Sequence, residues 1–70
     1  MRQGVLIYDS RSERMDIRFG LEEYYGGLHC GTTIEVLFQN QWISTRIEMA
    51  ENWYLVGVKT DVLTGLRVRI

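Results

Sequence analysis

Seventy residues, 46% of them hydrophobic and 24% charged, make one small domain spanning residues 1–70. No apolar run approaches the roughly 20 residues of a membrane-spanning helix, and no basic start with a sustained apolar stretch marks a signal peptide. The single Cys excludes an intramolecular disulfide and a Cys-based zinc site, which implies a reducing, cytoplasmic setting. Eight basic against nine acidic residues give no electrostatic footprint for nucleic acid.

In chain order, the dominant signal is period-two alternation, the mark of half-buried strands. Gly4-Val5-Leu6-Ile7-Tyr8 is apolar on both sides and predicts an enclosed strand. Asp9 to Glu13 supplies turn chemistry for an N-terminal hairpin. Arg14 to Phe19 then alternates charged with apolar residues, as a strand with one wet face does.

Residues 20–31 resist a strand reading. They carry four Gly, Tyr24, Tyr25 and the only His and Cys of the chain. Leu21 to Tyr25 is expected to form one helical turn closed by Gly26. A connection of this length is a place where function concentrates.

The central hairpin can be argued to register. Thr33–Gln39 and Trp42–Met49 flank Asn40-Gln41, a candidate two-residue turn. That turn pairs Phe38 with Ile43, Val36 with Thr45, Ile34 with Ile47, and Glu35 with Arg46 on the other face. A two-residue turn at Glu51-Asn52 then puts Tyr54, Val56 and Val58 on the Ile43/Ile47 face. A three-residue turn reverses the faces. Leu66–Ile70 alternates to the last residue and makes a sixth strand.

Six short strands, tight turns and almost no helix predict an all-β domain. Its form is either a small antiparallel SH3-like barrel or a strongly rolled sheet of five to six strands. Gly31, the Ile34-Glu35-Val36 strand, Trp42 with Thr45-Arg46-Ile47-Glu48, and Trp53-Tyr54-Leu55-Val56 resemble the strand order of SH3-like barrels, Tudor-type ones included. Over nearly the whole chain, YDSRSERMDIRFG, YYGGLHCG, TRIE and NWYLVG resemble a family of short bacterial proteins, a domain of unknown function in Gram-positive genomes and their mobile elements. That resemblance implies an intracellular bacterial or phage setting and no particular chemistry.

Catalytic constellations are weak. His29 and Cys30 are adjacent and point to opposite sides of an extended segment, so they make no dyad, and Cys30 is expected as a small buried hydrophobe. Glu22-Glu23 reads as a solvated turn rather than an acid–base pair. One His and one Cys cannot supply a metal site, and nothing calls for a cofactor. Gly26-Gly27 lacks the Lys-Ser/Thr ending of a phosphate loop, yet its amides beside Tyr24, Tyr25 and His29 could hold an anion with a ring stacked alongside.

On the expected register, Leu37, Trp42, Arg46, Trp53 and Leu55 share the face opposite the core. That is too much apolar area to leave wet, so a second layer, an oligomer contact or a partner should cover it. The leading expectation is a non-catalytic binding module acting through this aromatic and Arg face on a protein or on itself. The alternative is a nucleotide-sequestering oligomer using Tyr24, Tyr25, Gly26, Gly27 and His29. Nucleic-acid binding ranks third, through a stripe made of Arg14 and Arg18 beside Arg67 and Arg69.

Overall fold

The computed structural model describes all 70 residues and contains six strands and no helix. They are β1 (Gln3–Asp9), β2 (Arg14–Arg18), β3 (Thr33–Phe38), β4 (Gln41–Met49), β5 (Trp53–Leu55) and β6 (Arg67–Arg69). All pair antiparallel in one sheet of order β2-β1-β6-β3-β4-β5. The C-terminal strand is therefore central, joining the N-terminal hairpin to the β3–β4–β5 meander. β1 thus separates Arg14 and Arg18 from Arg67 and Arg69, strands that were expected to be neighbours.

Strand parity sorts the side chains as the alternation implies. Leu6, Met15, Ile17, Ile34, Val36, Ile47, Leu55 and Val68 point inward and are buried. Leu28, Val58 and Leu63 join this core from outside the strands. Gly4 is required where β1 crosses β2, since a Cβ there would sit 2.6 Å from the Arg18 carbonyl and from Ile17 Cγ2.

The β3–β4 turn is Gln39-Asn40, with φ of 51° and 64°. Two successive left-handed residues match the twist of a two-residue hairpin, and Asn tolerates that conformation. Val36 consequently faces Ile43, and Ile34 faces Thr45. The pairing is offset by two residues from the expected one, which preserves both faces. The Glu35–Arg46 pair is not formed. Glu35 faces Ser44 across β4 and Arg69 across β6.

The next turn reverses an expectation. β5 pairs Met49 with Trp53, Glu48 with Tyr54 and Ile47 with Leu55, which leaves the three residues Ala50–Asn52 in the loop. Trp53 and Leu55 thus face the core, and Tyr54 faces outward. The five-residue aromatic and Arg face is split. Leu37, Trp42 and Arg46 lie outside, while Trp53 and Leu55 lie inside.

The sheet rolls without closing into a barrel. The Trp53 indole N–H donates to the Glu13 carbonyl at 3.0 Å, bringing the β5 edge to the start of β2, yet no ladder joins the two strands. β2 spends its free edge elsewhere. The Tyr25 and Leu28 amides donate to the Ile17 and Met15 carbonyls at 2.9 and 2.8 Å. The segment after β2 is therefore an extended strap along that edge, touching β2 again in an Arg18–Tyr24 bridge, rather than the expected helical turn. Gly26 and Gly27, at φ of 111° and 99°, let it bend around the Asp16 side chain.

Candidate functional site

The β1–β2 loop is held by its own acid. One Asp9 oxygen accepts the Arg11 amide and the other the Ser12 hydroxyl, both at 3.0 Å. The Arg11 amide is the largest of the causes that hold the Asp9 carboxyl below its ordinary value of 3.8, followed by the Ser12 hydroxyl. Glu13, at φ 58°, turns the chain into β2.

Across from this loop runs the strap. Between them lies an open groove of about 690 Å³, floored by Ile7 and Asp16 and walled by Tyr8, Arg11 and Arg14 on one side and Tyr24, Gly26, Gly27 and His29 on the other. Four of the five residues expected for small-ligand binding therefore line one cavity. Tyr25 does not line it. Tyr24 is half exposed and pairs with Arg18, on the face of Arg14 and Asp16, whereas Tyr8 pairs with the inward-facing Met15.

The glycine amides do not cradle an anion. Asp16 Oδ1 accepts the Gly26 and Gly27 amides at 3.0 and 2.9 Å, together with the Ile17 amide at 2.8 Å. An internal carboxylate already occupies the place an external anion was expected to take. Both acids of the groove thus direct oxygens at the protein's own donors. Arg11 and Arg14 form no ion pair, since the three salt bridges are Arg2–Glu23, Arg46–Glu48 and Arg69–Glu35. Arg14 makes one long bond, 3.4 Å, to the Leu28 carbonyl.

The outer sheet face around Trp42 is quieter. The Arg69 guanidinium lies 4.1 Å from the Trp42 ring centroid while its Nε donates to Glu35 Oε1 at 2.5 Å. Arg46 Nε donates to Glu48 at 2.8 Å. The charges of this face pair off locally, and Leu37 and Trp42 are half-buried among them.

Cys30 is exposed rather than buried, and His29 beside it uses its carbonyl to receive the Thr32 amide and hydroxyl. No three His, Cys, Asp or Glu side chains converge as a metal site. No helix is long and apolar enough to cross a membrane.

The residues the sequence did not single out are Tyr8, Arg11 and Asp16. Asp16 left one signal, an acid on the outward face of an alternating strand. Its two bond partners in the strap lie ten and eleven residues away, beyond the reach of a local pattern.

The chain belongs to a family described as a domain of unknown function, DUF5348, whose model matches residues 4–70. The fold is similar to a structural-genomics crystal structure of a protein from Ruminococcus gnavus. That protein is 52% identical, with a TM-score of 0.93 over 99% of this chain and 100% of that one. No curated protein matches.

Proposed function

We propose that this member of the DUF5348 family is a non-catalytic binding module whose groove holds a small anionic ligand bearing a planar ring, of the size of a mononucleotide. One observation carries the reading. Arg11 and Arg14 stand in the groove without salt bridges, beside the half-exposed ring of Tyr24. Charge-assisted bonds from a guanidinium suit a phosphate, and an aromatic ring suits stacking by a base. The groove volume is within the range of small-molecule sites. An interior compartment fits the exposed free thiol of Cys30.

Thermal unfolding against a mononucleotide panel tests this. A ligand at 100 times its Kd should add about 2.7 kcal/mol of stability. Arg11→Ala and Tyr24→Ala should remove that gain while the ligand-free melting temperature stays close to wild type. No gain with any nucleotide would reject the reading.

A second reading uses the outer sheet face. Leu37 and Trp42, flanked by Arg46, are the part of the expected protein-contact surface that remains outside, half-buried on the outer sheet face. Loss of a captured partner, or of a dimer in light scattering, on Trp42→Ala in a folded protein would favour it.

A further inference from the structure

We infer that Asp16 reads the ring of the ligand, so that the groove selects rings offering an exocyclic amino donor over their keto counterparts. This rests on the groove reading above and adds a specificity-determining residue to it.

Asp16 is 8% exposed, the one acid among the buried residues. Its side chain is fixed by three amides from two separate segments, and all three fall on Oδ1. Oδ2 has no partner in the protein. No side-chain oxygen of the chain is both buried and unpartnered. Oδ2 therefore opens onto the groove that Asp16 lines. It is a lone, rigidly placed acceptor in a largely enclosed position.

Such an acceptor discriminates strongly. A ligand that covers it and supplies an N–H gains a charge-assisted bond without paying to order the side chain. A ligand that covers it with a carbonyl strips its water and sets acceptor against acceptor. The strand also sets the scale of the ligand. Arg14 and Asp16 lie two residues apart on one face of β2, about 7 Å along the strand. A ring donor at Asp16 and an anion at Arg14 and Arg11 thus fit the opposite ends of one mononucleotide.

Isothermal titration of the full chain with AMP, IMP, CMP and UMP is the test, because each pair exchanges an amino group for a keto group. AMP and CMP should bind roughly tenfold or more tighter than IMP and UMP. Asp16→Asn keeps a carbonyl oxygen for the three amides and turns an NH2 toward the groove, so it should reverse the preference. A wild-type protein that binds all four equally, or a preference that survives Asp16→Asn, overturns the role of Asp16 and leaves the groove reading standing. No binding of any of the four overturns both. Should Asp16→Asn fail to fold, wild-type titration with purine riboside 5′-monophosphate decides, since it lacks only the amino group of AMP. Affinity equal to that of AMP overturns the inference.

Discussion

The outer sheet face and the groove hold similar residue types and use them in opposite ways. Around Trp42 the charges lie on regular strands, where register sets them side by side, and they neutralise one another as Arg69 with Glu35 and Arg46 with Glu48. In the groove the acids are drawn to backbone amides of bent segments, as Asp9 is to Arg11 and Asp16 to Gly26 and Gly27. The arginines beside them are then left without a salt bridge. Regular structure exposes side chains that can satisfy each other. Irregular structure exposes amides, and an acid can satisfy those amides without closing a salt bridge to the nearest cation. Two arginines can thus stand without salt bridges in a groove that also holds two acids.

This contrast depends on the strap staying in place, and Leu28 is what anchors it. It is fully buried, although it lies in a segment without strand structure. Leu28→Ala should cost about 2–5 kcal/mol in urea unfolding, a large share of the stability of so small a domain. A loss below about 1 kcal/mol would mean that the strap is not part of the core, and the groove wall would lose its support.

The two tryptophans sharpen the comparison next. Trp53 packs against the core and donates to the Glu13 carbonyl, so it ties the β5 edge to the loop that forms one groove wall. Trp42 stacks only on the outer face under Arg69. Trp53→Ala should therefore cost about 2–4 kcal/mol and Trp42→Ala about 1 kcal/mol. Equal losses in chemical denaturation would put both residues in one environment and restore the undivided aromatic face.

That division marks where the sequence stops being legible. Alternation and one apolar run located all six strands, and alternation gave the inward parity of Ile17, Ile34, Val36, Ile47 and Val68, because a sheet with one buried face imposes that pattern residue by residue. The β3–β4 error was harmless, since moving the turn from Asn40-Gln41 to Gln39-Asn40 shifts the pairing by two and keeps both faces. One extra residue in the β4–β5 loop was not harmless, because it carried Trp53 and Leu55 from outside to inside. The strap was the least legible part. Its path follows from the bonds of Asp16 to Gly26 and Gly27 and from the pairing of Tyr25 and Leu28 with β2, contacts made across eight to thirteen residues. The Tyr24, Gly26, Gly27 and His29 grouping was readable from composition. Their neighbours Tyr8, Arg11 and Asp16 were not, since a hairpin brings them there.

The smallest expected effect concerns the other groove wall, and it is an effect of pH. The Arg11 amide and the Ser12 hydroxyl both donate to the ionised Asp9 side chain, so its pKa in the folded state lies below the 3.8 of the free group. Between those two values the unfolded chain binds the proton more readily than the folded one. The contribution of Asp9 is therefore complete above 3.8 and is lost as pH falls through the lower, folded value. At neutral pH the loop should be insensitive to small pH changes, and acidification should release the Arg11 amide before any global unfolding. Carboxyl-detected NMR of Asp9, followed with the Arg11 amide shift, should give one shared midpoint below 3.8. A midpoint at or above that value would mean the bonds to Arg11 and Ser12 do not persist in solution. The wall that carries Arg11 would then be no more ordered than an ordinary surface turn, and the contrast with the paired charges around Trp42 would lose one of its two acids.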